Sequence, residues 1–164
     1  AALITGSDIT MASPEHISVL KKGVAAWNRW RQNNPSVIPD LSGARIRKKN
    51  LGGINFRDAR LRKAALPGVK LKRANLEGAD LREADLMQAD LKHAWLAGAD
   101  LRCANLFRAD LEKADLARAN LEGAIAFRED LAGSDCASTH IWFTTLMDFG
   151  IHLCECELRE SRDR

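Results

Sequence analysis

Every fifth residue from Leu41 to Leu121 is Leu, Ile or Phe, at the centre of seventeen consecutive pentads running from Pro39-Asp40-Leu41-Ser42-Gly43 to Ala119-Asn120-Leu121-Glu122-Gly123. A period of five fits neither regular element. On an α-helix each step of five turns the position by about 140°, which spreads these side chains around the whole circumference. Along a straight strand five is odd, so successive ones alternate between faces and half of them meet water. All are buried only if the chain turns after each short extended stretch and keeps one side toward an axis. The pattern predicts a solenoid.

Ala stands two residues before the central position at 74, 79, 84, 89, 94, 99, 104, 109, 114 and 119 without a break. Residues two apart on extended backbone share a face, so this Ala and the following Leu point inward together. Stacked Leu and Ala layers leave no room for a cofactor or substrate between them. Gly43, Gly53, Gly68, Gly78, Gly98 and Gly123 fall two residues after the central one, where a tight turn often needs φ above zero. Pentads such as Ala79-Asp80-Leu81-Arg82-Glu83 and Ala104-Asn105-Leu106-Phe107-Arg108 spell A-(D/N)-L-x-x, and across residues 39–128 the chain closely resembles the pentapeptide-repeat family. The resemblance implies an all-β solenoid, a right-handed quadrilateral β-helix with four pentads to a square coil and the Asp or Asn at the outer side of each corner. Positions twenty residues apart then stack at roughly 4.8 Å, one inter-strand spacing. Such a fold presents surfaces without assigning a function.

The flanks read differently. Residues 1–12 lack the basic start and long apolar stretch of a signal peptide and are expected to be a disordered leader or cloning remnant. Ser13-Pro14-Glu15 opens a helix, Ile17, Leu20, Val24 and Trp27 form its apolar stripe, and Asn33-Asn34-Pro35 stops it, so residues 13–36 are one helix and a linker. A solenoid's first coil has an open apolar end and unpaired strand edges. The helix is expected to cap it, with Trp27 and Trp30 packed on the coil around Leu41 and Ile46. The β-helix itself takes residues 37–128. Beyond Gly123 the signature decays, yet Ala126, Leu131, Cys136, Ile141, Leu146, Ile151 and Cys156 keep the five-step register. Glu129 falls where Ala is expected and Phe149 is too large for a narrow core, so residues 129–164 read as degenerate repeats, a C-terminal cap and a tail. The cluster Ile141, Trp142, Phe143, Leu146 and Phe149 is more apolar than a cap needs and is the candidate homodimer segment.

Little chemistry stands out. The histidines at 16, 93, 140 and 152 have no metal-ligand spacing, and Cys103, Cys136, Cys154 and Cys156 form no C-x-x-C pair, so no metal or other cofactor is expected. Four unevenly placed cysteines suit a reducing, cytoplasmic setting. Cys136 and Cys156, twenty apart, would face each other in adjacent coils at bonding distance, although inert core thiols are the preferred reading. The aspartates at 80, 85, 90, 100, 110 and 115 share one repeat position and serve corner hydrogen bonds rather than a catalytic dyad. No phosphate loop or nucleophile elbow appears, and the chain is not read as an enzyme or as taking a small-molecule substrate. No apolar run approaches the roughly 20 residues that cross a bilayer.

Charge and surface pattern leave two functional readings. Residues 1–43 carry a net charge of +1, residues 44–73 of +10, residues 74–128 of −3 and residues 129–164 of −5, for +3 in all. Some members of the family it resembles protect gyrase by imitating DNA, which needs a continuous acidic surface; this balance departs from that, and the resemblance implies no gyrase role here. The leading reading is a non-enzymatic scaffold for protein–protein interaction. Its candidate face is the column after every fourth central residue, Arg47, Pro67, Met87, Phe107 and Phe127, with Ile125 beside it and Arg108 and Arg128 at its border. The chain's own C-terminal segment and a partner are the two candidate occupants. The second reading is polyanion binding, to nucleic acid or an anionic surface, through Arg45, Arg47, Lys48, Arg60, Arg62, Lys63, Lys72 and Arg73. It ranks lower because the stretch has one aromatic residue, Phe56, at a core position.

Overall fold

The computed structural model describes residues 12–47, 49–126, 129–136, 138–139 and 145–146. Its backbone forms parallel bridges at a constant offset of twenty residues, as in Asp40 with Arg60, Arg60 with Asp80 and Asp80 with Asp100. Three further series start from Arg45, Asn50 and Asn55, which gives each coil four flat sides. We number these sides one to four in chain order. Each bridge is a reciprocal pair: the Leu61 N–H donates to the Asp80 carbonyl at 2.8 Å and the Asp80 N–H to the Ala59 carbonyl at 3.0 Å. Each of these contacts is a single bridge rather than a strand pair, so the ladder exists only because neighbouring coils stack.

A corner follows Leu41 and each central residue from Leu51 to Leu121. The N–H three residues on returns to its carbonyl, as from Ala84 to Leu81 at 3.0 Å, and the third turn residue has positive φ. Gly43, Gly53, Gly68, Gly78, Gly98 and Gly123 occupy this position, as the glycine pattern predicts. So do ten residues with side chains from Asp58 to Arg118, at φ between 56° and 60°. Left-handed backbone costs an L-residue roughly 1–2 kcal/mol. Burial of a Leu side chain at each step, about 1.5–3 kcal/mol, offsets that strain. At Gly78 the requirement is stricter, because a Cβ there would collide with the Asp58 carboxylate.

The Asp or Asn residues do not sit at the corners, as the family resemblance implied. They occupy the bridged middle of each side, and their side chains reach forward over the next corner. Oδ1 accepts the N–H two residues on, from 2.9 Å between Asp115 and Ala117 to 3.3 Å between Asp100 and Arg102. A short acceptor two residues before an unpaired amide is what an Asx turn needs. The central residues from Leu51 to Leu121 are fully buried, and each Ala from 59 to 124 in the repeat is at most 2% exposed. That is the narrow Leu and Ala core expected from the pentads.

The N-terminal region is two helices rather than one: α1 spans Pro14–Lys21 and α2 spans Val24–Asn33. Gly23, at φ +100°, breaks the stripe between them. Ser13 makes no side-chain cap; its N–H donates instead to the Asp40 carbonyl at 3.0 Å. Leu20 and Trp27 are buried, and Trp27 meets Phe56 edge-on at 5.3 Å, on the side remote from Ile46.

Polar side chains of the helices then take up first-coil backbone groups that no earlier coil can pair. His16 Nδ1 accepts the Asp40 N–H at 2.9 Å, and Asn28 Oδ1 accepts the Asn55 N–H at 2.8 Å. Trp27 Nε1 donates to the Asn55 carbonyl at 2.7 Å, and Arg31 donates to those of Val37 and Arg57 at 2.7 and 2.9 Å. Sides one and four are thereby satisfied. On sides two and three the Arg45 and Asn50 backbone groups facing away from the next coil have no partner among the described residues. Burial lowers the pKa of the Arg31 guanidinium against the raising field of Asp58, and its Nε has no hydrogen-bond partner among the described residues.

Past the regular pentads, β1 (Ile125–Ala126) pairs in parallel with β2 (Thr145–Leu146), and Asp115 bridges Asp135. A 3-10 turn, Glu129–Leu131, stands where side three continues past Asp110, while Leu131 and Cys136 still point inward at 4% and 3% exposure. Ser134 Oγ lies 3.2 Å from the Cys136 sulfur. The candidate pairing with Cys156 falls outside the described residues, as do the leader before Ala12 and, in the candidate dimer segment, Ile141, Trp142, Phe143 and Phe149. Of that segment, the Leu146 backbone alone is described.

Candidate functional site

Because each coil repeats after twenty residues, residues twenty apart form columns on the surface. At the corner between sides two and three, Pro67, Met87 and Phe107 stack in one column and are half-buried, with Arg47 exposed at its start. The Arg108 guanidinium lies 5.2 Å from the centroid of the Phe107 ring, within range of a cation–π contact. Ile125, 39% exposed, stands on side two next to this corner. Met87, Phe107, Arg108 and Ile125 are thus brought together; Phe127 and Arg128 lie outside the described residues.

The basic residues are not gathered on one side. Arg60 stands on side one, Arg62 and Lys63 at the following corner, Arg45 on side two and Arg47 at the corner after it. Lys72 and Arg73 occupy the corner diagonally opposite Arg62, and Lys48 lies outside the described residues. Three of these charges are already engaged. Arg62 meets Glu83 at 2.8 Å, Lys63 meets the same carboxylate at 3.5 Å, and Arg60 approaches Asp40 at 3.9 Å. Arg45, Arg47, Lys72 and Arg73 have no ion pair among the described residues.

Side one carries a ladder of alternating charge. Arg82 grips Asp80 through two nitrogens at 2.8 and 2.6 Å and reaches Asp100 at 3.5 Å; Arg102 grips Asp100 at 2.9 and 2.7 Å. The Arg82 hydrogen bonds hold the Asp80 carboxyl below the usual carboxylate range. At Asp100 burial pushes upward but is outweighed by Arg102 and Arg82, and the net shift is also downward. Depressed folded-state values give stability that is complete above the ordinary carboxylate pKa and lost as pH falls through it. The melting temperature should therefore hold from neutral pH down to about 5 and drop below about 4. Arg82→Ala with Arg102→Ala should flatten that drop in a melting series across pH; an unchanged acid limb would remove these pairs as its cause.

Comparison with known proteins fits this geometry. The model of the family described as pentapeptide repeats matches residues 40–78, 66–102 and 104–128, in eight copies. The chain belongs to the pentapeptide-repeat family. Among solved structures it is similar to the pentapeptide-repeat protein Rfr23 from the cyanobacterium Cyanothece 51142, at 26% identity and a TM-score of 0.62, covering 71% of this chain and 91% of that one. A pentapeptide-repeat protein from Nostoc PCC 7120 is 35% identical over 68% of this chain and 93% of its own, with a TM-score of 0.38. One from the Arabidopsis thaliana thylakoid lumen is 30% identical over 74% and 72%, with a TM-score of 0.34. No curated protein matches significantly. The family likeness implies a right-handed quadrilateral β-helix, in agreement with four bridged sides per coil.

Within this pentapeptide-repeat chain, sequence reasoning missed Trp95. It stands 52% exposed on side four, in the Asp or Asn position between Asn75 and Asp115. The signal was available as Ala94-Trp95-Leu96, a pentad whose outward middle residue breaks the repeat rule. No helix among the described residues is long and apolar enough to cross a membrane.

Proposed function

We propose that the chain is a non-enzymatic scaffold that binds a protein partner at the corner formed by Met87, Phe107, Arg108 and Ile125. The observation that carries this reading is the stacking of large apolar side chains in one outward column, with a guanidinium over Phe107. Aromatic anchors beside Arg are typical of interface centres. The two helices serve as the cap of the first coil, since they meet its backbone groups on two sides. Polyanion binding has weaker support, because its unengaged charges lie at separate places around the perimeter. Pairing of two copies through Ile141, Trp142, Phe143, Leu146 and Phe149 is the rival occupant to a distinct protein.

Met87→Asp with Phe107→Asp tests the corner. The double variant should keep its melting temperature within a few degrees and lose at least tenfold in partner recovery, about 1.4 kcal/mol or more. Sizing of the pure protein separates self-pairing from a distinct partner. Recovery and size both unchanged would make the column idle surface.

A further inference from the structure

Where a pentad lacks Asp or Asn, its corner amide loses an acceptor. Asp40, Asp80 and Asp100 on side one cap the amides of Ser42, Arg82 and Arg102 at 3.0, 3.2 and 3.3 Å. Arg60 interrupts that column between Asp40 and Asp80, and its side chain has donors only. The Arg62 N–H at this corner has no partner among the described residues. Arg45, Ala65, Lys70 and Trp95 break the rule as well: Pro67 has no N–H to cap, and the Arg47, Lys72 and Ala97 amides also lack a partner among the described residues, so the Arg62 corner is set apart by the cavity beside it.

The uncapped corner borders a cavity of about 220 Å³. Four cations line it, Arg60, Arg62, Lys63 and Arg82, against the carboxylates of Asp40 and Asp80, together with Ser42. Arg82 and Arg62 are held by Asp80 and Glu83. Arg60 is 59% exposed and meets Asp40 only at 3.9 Å. The Ser42 residue is 4% exposed, and its hydroxyl has no hydrogen bond among the described residues.

We infer that this cavity binds a phosphate group, one oxygen of which replaces the missing carboxylate on the Arg62 N–H. The remaining oxygens meet the Arg60 guanidinium and the Ser42 hydroxyl in charge-assisted bonds, and the Lys63 ammonium, 3.5 Å from Glu83, turns from that carboxylate toward them. A tetrahedral oxyanion satisfies donors in several directions, whereas a planar carboxylate offers two oxygens. At about 30 Å³ per water the space holds several waters, enough for a phosphate with a small substituent. A nucleic-acid strand fits less well: successive phosphates need a row of unengaged cations, and the arginines that follow in this column, Arg82 and Arg102, are gripped by Asp80 and Asp100. The site occupies a different corner from Met87 and Phe107, so its failure leaves the protein-binding proposal standing.

The test is an amide NMR titration of the full chain with inorganic phosphate at constant ionic strength, chloride being the exchanged ion. The Arg62 amide should shift saturably at millimolar phosphate, and phosphate should raise the melting temperature. Arg60→Asn supplies the missing cap, as Asn75 does for the Glu77 N–H at 3.0 Å. That variant should melt at or above the unmodified protein and lose both responses. Ser42→Ala should weaken binding several-fold. A sugar phosphomonoester binding more tightly than inorganic phosphate would support a small-molecule ligand. Tighter binding of a short oligonucleotide, with shifts spread over Arg45, Arg47, Lys72 and Arg73, would overturn it. So would the lack of a saturable Arg62 shift at tens of millimolar phosphate, or an undiminished response in Arg60→Asn.

Discussion

Leu91→Lys should leave the chain unfolded. Leu91 is fully buried between the Leu71 and Leu111 layers of side three, and the one buried acid among the described residues, Asp130, lies two coils further on. Losing a buried Leu costs about 2–5 kcal/mol, and an unpaired interior charge adds several more. Together these reach the 5–15 kcal/mol that a domain typically has in hand. A solenoid coil is stable only through its neighbours, so a break in the middle also deprives the coils on both sides of an interface. Circular dichroism should show no cooperative melting. The adjacent outward residue gives the contrast: Lys92 pairs with Asp110 at 3.1 Å and Glu112 at 2.9 Å, yet the three side chains keep 35–48% of their surface in solvent. Exposed pairs are worth about 0–1 kcal/mol, so Lys92→Ala should shift melting by no more than about 2–4 °C. Wild-type melting of Leu91→Lys would refute the inward assignment.

The inward set was legible because a period of five leaves one way to bury every central residue, and the Ala two positions earlier shares that direction. The placement of Asp and Asn was not, since period alone does not distinguish the flat part of a side from its corner. The single helix expected over residues 14–33 failed at Gly23, because a lone Gly inside an apolar stripe looks the same whether the helix tolerates it or breaks there. Basic residues that cluster in sequence did not cluster in space, and the reason is geometric. Thirty residues make one and a half coils, so the charges of residues 44–73 pass every side in turn. Their partners are hidden for the same reason: Arg57 meets Glu77 and Arg62 meets Glu83, twenty and twenty-one residues away. The Met87–Phe107 column emerged from the sequence because it was sought at that offset. Trp95 is hidden because the residues of its column, Asn75 and Asp115 among them, carry the repeat signature.

Trp27→Ala should open the solenoid from its first coil. The indole is fully buried, stacks against Phe56 and Trp30, and donates to the Asn55 carbonyl at 2.7 Å. Truncating a buried Trp costs about 3–5 kcal/mol, and the carbonyl left without its donor adds about 1–3. At about 2–4 °C per kcal/mol the melting temperature should fall by roughly 10 °C or more. The loss should also be local, because stability in a stacked array propagates from coil to coil. Hydrogen exchange should therefore speed up most at the amides of Leu41, Ile46, Leu51 and Phe56, less at the next coil and least at Leu101 and Leu111. Trp27→Phe separates the two contributions: it keeps most of the packing and removes the indole donor, so its effect should be the smaller one. If exchange rose evenly along the rod, the helices would add to global stability without guarding the open end. If the first coil kept its protection in Trp27→Ala, the contacts of His16, Asn28 and Arg31 would suffice to hold that edge without the indole.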